Sequence, residues 1–238
     1  YGYVKIKNFQ DKTAKELKNA LNNLEDEDGQ LKGLVLDLRN NPGGTFDQAL
    51  EVSDEFLDSG IITYTEERIK GKKKEYKARK NGKPRDYPLV VLVNAGSASA
   101  SEIVAGALQD HGRAVILGVQ TFGKATVQSI YPLEDGSGLR LTIGRYYTPR
   151  GRSIQAEGIT PDIIVSDMVN AEATKKIRFF REKDLERHLE NKKEEEEQQN
   201  DSEKIKEDEG LKDPQLERAL GLLKSWYIFK KLEVNKAS

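Results

Sequence analysis

The chain changes from a strand to a helix within the stretch Asn94-Ala95-Gly96-Ser97-Ala98-Ser99-Ala100-Ser101-Glu102-Ile103. A continuous apolar run, Leu89 to Val93, precedes this stretch and predicts a buried strand. Apolar residues then recur with helical spacing at Ile103, Val104, Ala107 and Leu108. Ser99 therefore lies at the bend where the strand ends and the helix begins.

Ser99 has two interpretations at this position. The pattern from Ser99 to Glu102 is that of a capping box, in which the serine hydroxyl accepts the Glu102 N–H and the glutamate side chain accepts the serine N–H. The same position lies beside the unpaired N–H groups and the positive end of the helix dipole, which stabilise an oxyanion. Taken alone, the stretch is compatible with a structural cap and with a nucleophile.

A second stretch, Thr121-Phe122-Gly123-Lys124-Ala125-Thr126-Val127-Gln128, favours the nucleophile. Alternation along a predicted strand puts Lys124, Thr126 and Gln128 on one face and points the lysine inward. A serine hydroxyl is a weak nucleophile until a base removes its proton, and a lysine amine is such a base when burial lowers its pKa. A neutral amide such as Gln128 orients the amine without restoring its charge. Together the two stretches predict a Ser-Lys dyad.

The two stretches resemble those of the C-terminal processing (tail-specific) serine peptidases. Further blocks carry the same resemblance in the family's order: Leu36-Asp37-Leu38-Arg39-Asn40-Asn41-Pro42-Gly43-Gly44, Leu139-Arg140-Leu141-Thr142, Thr148-Pro149-Arg150-Gly151-Arg152-Ser153-Ile154-Gln155, and Gly158-Ile159-Thr160-Pro161-Asp162-Ile163. The similarity covers roughly residues 1 to 165.

The resemblance implies roles for five residues. Ser99 would be the nucleophile, Lys124 the general base, and Gln128 the residue that positions Lys124. The backbone N–H groups of Gly44 and Ala100 would form the oxyanion hole. The implied reaction is endoproteolysis near substrate C-termini through an acyl-enzyme, with no metal or cofactor.

Two local features bear on these roles. The stretch Asn40 to Gly44 is rich in turn-forming residues, so by itself it predicts a tight loop, and its glycines also let the backbone approach a ligand closely. Ala125 departs from the family, which usually has glycine there. That departure matters only if the position requires a positive φ.

The resemblance also implies a cellular context. Family members are usually exported to the periplasm, the cell-wall space or the thylakoid lumen, and carry a PDZ domain before the core that captures substrate C-termini. The chain starts at Tyr1 without methionine, where such a domain would have just ended. We therefore expect a catalytic core without its PDZ domain or signal peptide, from an exported, periplasmic or membrane-associated protein. The substrate would be a protein or peptide bound in an extended conformation along a strand edge.

Composition limits the alternatives. With 238 residues, 36% of them apolar, the chain can bury one good core and a small second unit. The net charge of −1 argues against a dedicated nucleic-acid-binding protein. The basic stretch from Arg68 to Arg85 is most simply a solvated hairpin, although it could also steer the protein toward anionic lipid headgroups. Cysteine is absent, which excludes thiol catalysis, disulfides and cysteine zinc sites.

The order of predicted elements indicates an α/β fold with a mixed sheet. Strand, helix and strand follow one another through Leu38, and hairpins are predicted in two places, Ile61 to Tyr64 with Lys74 to Ala78 and Gln128 to Leu133 with Leu139 to Tyr146. The family fold, a mixed β-sheet with helices packed on it that is related to the crotonase and Clp protease folds, has the same order.

The composition changes after residue 167. We predict a catalytic core over residues 1–167, a charged linker or helix over 168–212, and an amphipathic helix over 213–238. That helix opens with Asp213 and Pro214 and carries an apolar stripe: Leu216, Ala219, Leu220, Leu223 and Tyr227. It could dock on its own core or form a homo-oligomer through the apolar face that Trp226 and Phe229 widen.

Three alternatives to the Ser-Lys peptidase stay open. His111 and Asp110 could form a Ser-His-Asp site, but adjacent residues at a helix end are poorly placed for a relay; His188 lies among charges and is expected to be solvated. The chain could also be an inactive core that acts as a binding or assembly module. An acyl-CoA enzyme of the crotonase fold is disfavoured, because it gives Lys124 no role.

Overall fold

The computed structural model describes residues 1–28, 31–67, 72–79, 85–166, 181–184 and 213–237. The strands are β1 (Gly2–Lys5), β2 (Leu34–Asp37), β3 (Ile61–Glu67), β4 (Lys73–Lys77), β5 (Leu89–Val93), β6 (Val115–Gly118), β7 (Thr126–Pro132), β8 (Gly138–Tyr147) and β9 (Ile163–Ile164). The helices are α1 (Thr13–Asp28), α2 (Phe46–Asp54), α3 (Ala100–Asp110) and α4 (Pro214–Ala237), with one 3₁₀ turn at Glu182–Asp184.

The α/β fold expected from the sequence is confirmed, with its parallel and antiparallel strands in two separate sheets. The parallel sheet has the order β1-β2-β5-β6-β9. Its inner strands β2 and β5 are buried along their whole length, as parallel strands with both faces covered should be.

One face of the parallel sheet forms the main core. Alternate residues of β2 and β5, among them Leu36, Val91 and Val93, pack against the apolar faces of α1, α2 and α3. The residues between them point to the opposite face, because successive side chains of a strand alternate. That opposite face carries Val35, Val90, Leu92 and Leu117.

Helix α4 covers this second face. Ala219 and Leu223 are buried there in one cluster with the strand residues. The approach is close at Gly33, where a Cβ atom would lie 2.9 Å from Leu223 Cδ2. The predicted C-terminal stripe therefore docks on its own sheet as far as Leu223, whereas Tyr227 is largely exposed.

The second sheet is antiparallel, with the order β4-β3-β8-β7. Both predicted hairpins are present, β3 with β4 and β7 with β8. The far end of the β7–β8 hairpin exposes apolar side chains: Ile130, Tyr131, Leu133, Leu139, Leu141 and Ile143. Its other end meets the parallel sheet, where the Tyr146 N–H donates to the Ala125 carbonyl at 2.9 Å.

Several predictions fall on residues that the structure does not describe. The linker predicted over 168–212 lies outside the described residues except for Arg181–Asp184. His188 and half of the basic stretch from Arg68 to Arg85 also lie outside them. The proposed domain boundaries stay a prediction. Among the helices described, we find none with a stretch apolar and long enough to traverse a lipid bilayer.

Candidate active site

Ser99 has a strained backbone at the junction of β5 and α3. Its φ and ψ are 56° and −112°, a region that non-glycine residues rarely adopt. Such strain persists only where surrounding contacts fix the residue. Here the Ser99 N–H donates to the Glu102 carboxylate at 2.8 Å. The half-buried side chain is thereby held at the start of α3.

The capping box predicted from Ser99 and Glu102 is present, and its short hydrogen bond is the one that the Glu102 carboxylate accepts from the Ser99 N–H. The Ser99 side-chain oxygen accepts the Glu102 N–H, which also donates to the Ser99 main-chain carbonyl at 2.9 Å. Because the oxygen acts there as an acceptor, its O–H proton is not used by the cap.

The two neighbouring serines are structural. Ser97 and Ser101 are fully buried, and their hydroxyls donate to the carbonyls of Leu38 at 2.8 Å and Asn41 at 2.9 Å. These bonds tie the bend to the loop that follows β2. Of the three serines in the motif, Ser99 is the one whose side chain reaches the surface.

Glu102 is the hub of the site. It is fully buried, and besides the Ser99 N–H its carboxylate accepts the Lys124 N–H at 2.9 Å, the Gly123 N–H at 2.7 Å and the Thr121 hydroxyl at 2.5 Å. Burial raises the pKa of the Glu102 carboxyl to about 7, against the four hydrogen bonds, which favour the ionised form. One side chain thus holds together the backbones of both candidate dyad residues.

Tyr146 also links the two candidates, and the sequence had given it no role. Its hydroxyl donates to the Lys124 main-chain carbonyl, and the nearby Ser99 side chain lowers the pKa of the phenol slightly against the effect of burial. Burial raises the pKa of Tyr146 well above its usual range, so the phenol stays protonated. Within the described part of the chain, no hydrogen bond joins the Ser99 hydroxyl to the Lys124 amine. An inward-facing aromatic residue on a predicted strand was the available signal.

The prediction that Lys124 lies on a strand is wrong. Strand β7 begins at Thr126, because the preceding N–H groups donate to side chains, that of Lys124 to Glu102 and that of Ala125 to Gln155 at 2.9 Å. A bulge between Val127 and Gln128 then interrupts the alternation. The predicted common face of Lys124 and Gln128 is therefore absent.

Gln128 is exposed on β7, opposite Thr142. No hydrogen bond joins its amide to Lys124 in the described structure, and its role in positioning the lysine stays a prediction. Lys124 itself is half-buried beside the Glu102 hub.

The loop that carries Gly44 packs directly on the Ser99 bend. A Cβ atom on Gly43 would lie 2.8 Å from Ser99 Cβ and 2.9 Å from the Ala100 nitrogen, and Gly43 has φ +98°. Phe9 brackets the next residue, since its N–H donates to the Gly43 carbonyl and its carbonyl accepts the Thr45 N–H, both at 2.9 Å. This bridge leaves the N–H of Gly44 pointing away from Phe9.

The two predicted oxyanion donors are unclaimed. Among the described residues, neither the Gly44 N–H nor the Ala100 N–H donates a hydrogen bond within the protein. Gly44 is exposed and Ala100 begins α3, where N–H groups lack intrahelical partners. The contact between Gly43 and Ser99 brings the two donors to the same part of the structure, and their joint role as an oxyanion hole stays a prediction. Ala125 is not in the positive-φ region, so its replacement of glycine causes no backbone strain.

His111 is remote from this site. It caps the opposite end of α3 and its Nε2 lies 2.7 Å from the Ile61 carbonyl. Asp110 accepts the Arg150 N–H and pairs with Arg152. A helix of this length separates them from Ser99 by about 16 Å, which excludes a Ser-His-Asp site. Nor do the described residues hold a group of three or more histidine, aspartate or glutamate side chains able to bind a metal ion.

Known proteins share this arrangement of sequence and fold. Peptidase family S41 matches residues 1–165. The chain is similar to the carboxy-terminal-processing protease of Bartonella bacilliformis, 50% identical over 166 residues that make up 69% of this chain and 38% of that protein. It is also similar to the carboxyl-terminal-processing protease of Synechocystis sp., 44% identical over 165 residues, 69% of this chain and 38% of that protein.

Solved structures agree. The photosystem II D1 C-terminal processing protease matches with a TM-score of 0.64 and 40% identity, over 69% of this chain and 42% of that one. Mature CPAF, at 14% identity and a TM-score of 0.56 over 68% of this chain and 46% of that one, shares the fold. The chain spans about two fifths of the length of these curated relatives.

Proposed function

This chain belongs to peptidase family S41, and on that premise we propose that it is the core of a serine endopeptidase that cleaves polypeptides near their C-termini. Ser99 is the nucleophile, Lys124 the general base, and Gly44 and Ala100 supply the oxyanion donors. The substrate class rests on the names of the relatives, which are carboxyl-terminal processing proteases.

One observation carries the proposal. Ser99 is held with a positive φ at the start of α3, between two unclaimed N–H donors. Strained residues of this kind collect at functional sites, and a structural cap requires neither the strain nor the donors. The glycine loop that presses on Ser99 provides the second donor.

The reaction follows from these positions. The Ser99 hydroxyl transfers its proton to the neutral Lys124 amine as its oxygen bonds to the scissile carbonyl carbon, and the Gly44 and Ala100 N–H groups bind the oxyanion. Lys124 returns the proton to the leaving amine as the C–N bond breaks, which leaves an acyl-enzyme. Water then attacks the ester with Lys124 again as base. Each oxyanion donor contributes about 2.7–4 kcal/mol to the barrier reduction.

The hydroxyl must first approach its base. In the described conformation no hydrogen bond joins it to the Lys124 amine, so catalysis requires a side-chain rotation that brings the two groups together. We propose that an extended substrate, paired with a strand edge beside the site, favours that rotation, and that Gln128 orients the amine once it has moved. No cofactor takes part in these steps.

Hydrolysis of casein and labelling by a fluorophosphonate probe test the proposal. We expect Ser99→Ala to abolish both and Lys124→Ala to reduce both at least 100-fold, in line with the loss of a general base. Lys183→Ala removes an exposed lysine and His111→Ala a remote histidine, so both should retain activity. A native chain that is inert in both assays would refute a competent site.

The second candidate is an inactive core that acts as an assembly module. The described residues include no hydrogen bond between the Ser99 hydroxyl and the Lys124 amine, and an unformed dyad favours this candidate. The exposed apolar residues of α4, namely Trp226, Ile228, Phe229 and Leu232, support self-association through this helix. Light scattering after gel filtration should then show a dimer that Phe229→Lys converts to a monomer, and a monomeric native chain would contradict self-association.

We also propose an exported or membrane-associated location, which rests only on the resemblance to exported peptidases. Fractionation of cells that express the natural full-length protein tests it. Recovery with cytosolic markers would be the contrary result.

A further inference from the structure

We propose that Asp213, the residue before α4, is a positioning residue for the loop that carries the Gly44 donor. Its effect on catalysis rests on the function proposed above. The family match ends at residue 165, so it assigns no role to this helix. The proposal makes the C-terminal helix part of the peptidase site.

The first link is a two-pronged contact between Asp213 and Arg39. The Arg39 Nη1 donates to Asp213 Oδ1 at 2.9 Å and Nη2 donates to Oδ2 at 2.7 Å. The opposite side of the guanidinium donates to Asp37, from Nε at 3.0 Å and from Nη2 at 2.8 Å. The Arg39 side chain is 13% exposed and that of Asp37 is fully buried. The Asp213 side chain is 36% exposed, so this half of the contact is partly screened, and its paired geometry is what makes it directional.

The second link joins Arg39 to the loop. The Arg39 N–H donates to Asp37 Oδ1 at 2.9 Å, so backbone and side chain are fixed by one carboxylate. The next residue, Asn40, has φ 57°. It is held by Asn94, which accepts its N–H at 2.9 Å and donates to its side-chain oxygen at 2.8 Å. An asparagine whose backbone and side chain are both bonded to Asn94 has little freedom to rearrange, so we expect a displacement of Arg39 to pass through it to the loop.

The third link runs through Asn41 to Gly44. The buried Asn41 carbonyl accepts the Ala98 N–H at 3.0 Å and the Ser101 hydroxyl at 2.9 Å. Its side-chain oxygen accepts the Gly43 N–H at 2.9 Å. The loop thus forms one hydrogen-bonded body from Arg39 to the oxyanion donor, placed against the bend that holds the nucleophile.

Helix docking and the Asp213 contact form together. Asp213 Oδ1 also caps α4 by accepting the Leu216 N–H at 2.9 Å. Gln215 is buried between the two partners, since its oxygen accepts from Arg39 at 3.0 Å and its amide donates to the Val165 carbonyl at 2.8 Å. Because α4 also packs on the sheet through Leu223, docking of this helix both covers the core and fixes the side chain of Arg39.

A matched pair of variants separates the contact of Asp213 with Arg39 from its capping of α4. Asp213→Asn removes the negative charge but keeps a good N-cap side chain. Glu217→Gln removes one charge from the same first turn. Glu217 is exposed, so the loss of its charge should change the stability of the helix only slightly. With a fluorogenic peptide, we expect Asp213→Asn to lower kcat about 3- to 30-fold with KM nearly unchanged, since oxyanion geometry matters in the transition state. Glu217→Gln should match the native chain.

Amide hydrogen exchange provides a readout that does not depend on activity. In Asp213→Asn, the Asn41 and Gly43 amides should exchange faster while the amides of β5 keep their protection. Faster exchange throughout the sheet, equal effects of the two variants, or a native exchange pattern in the loop would each overturn the proposal. An inert native chain would refute the peptidase function, and the exchange comparison would still decide the role of Asp213.

Discussion

Replacing Glu102 by glutamine should separate reactivity from stability. The Glu102 carboxylate accepts four hydrogen bonds, two at each oxygen. An amide keeps one acceptor oxygen and presents an NH₂ group to the other two donors, which lose their partner. If the amide oxygen stays with Thr121 and Gly123, the orphaned donors are the N–H groups of Ser99 and Lys124.

We expect Glu102→Gln to lower reactivity more than it lowers the unfolding free energy. Two orphaned donors cost about 2–6 kcal/mol of unfolding free energy. Glutamine also removes a buried charge, whose cost is reflected in the rise of the Glu102 pKa from 4.5 to about 7, equivalent to about 3 kcal/mol. The net loss of stability therefore stays below about 3 kcal/mol. Reactivity has no such offset, and a displacement of the dyad backbones by about 1 Å lowers the rate about 100-fold.

The assay measures urea unfolding and fluorophosphonate labelling of the same samples at pH 8. Glu157→Gln makes the same chemical change at an exposed position and should alter neither. Labelling of Glu102→Gln at the native rate would refute the positioning argument. A stability loss well beyond about 3 kcal/mol would refute the energy balance.

Three further predictions concern stability and the loop. The pKa of the Glu102 carboxyl is raised in the folded protein, so the stability that its proton contributes is complete below pH 4.5 and is lost as the pH rises to about 7. Over that range the unfolding free energy of the native chain should fall relative to that of Glu102→Gln by at most about 1.4 kcal/mol per pH unit. The same pH dependence of the unfolding free energy in both proteins would contradict this. Gly43→Ala places a Cβ atom at φ +98° and 2.8 Å from Ser99 Cβ. It should lower the unfolding free energy by about 1–2 kcal/mol for the φ alone and should slow casein hydrolysis. A fully active variant would show that the loop can move to accommodate the Cβ atom without loss of activity. Leu223→Ala should lower the unfolding free energy by about 2–5 kcal/mol, whereas exposed Leu232→Ala on the same helix should change it by less than about 0.5; equal effects would argue against the docking.

Local signals predicted the surroundings of Ser99 well. The apolar run to Val93 and the helical spacing after Ile103 placed Ser99 at the bend, and Glu102 at the third helical position indicated its contact with the Ser99 N–H. These features depend on residues that are close in sequence, so the local sequence is enough to predict them.

The surroundings of Lys124 were less predictable. Lys124 was expected on a strand, but Glu102 and Gln155 take the hydrogen bonds that would have extended β7, and a bulge interrupts the alternation before Gln128. Tyr146 was missed because its partner Lys124 comes into contact only when β8 pairs. The helix stripe at Leu223 was visible, but the face that it covers depends on contacts across most of the chain.

The placement of α4 also sets the order in which the protein can be assembled. Arg39 and Asp213 are 174 residues apart, and translation of that interval takes on the order of 10–30 s. Until then, the strands that will lie under α4 leave the ribosome with Val35 and Leu92 still uncovered. A contact this distant closes late, because its loop entropy must be offset first. We expect the nascent chain to complete the Arg39–Asp213 contact only after residue 213 has left the ribosome, well after the strands that carry Val35 and Leu92.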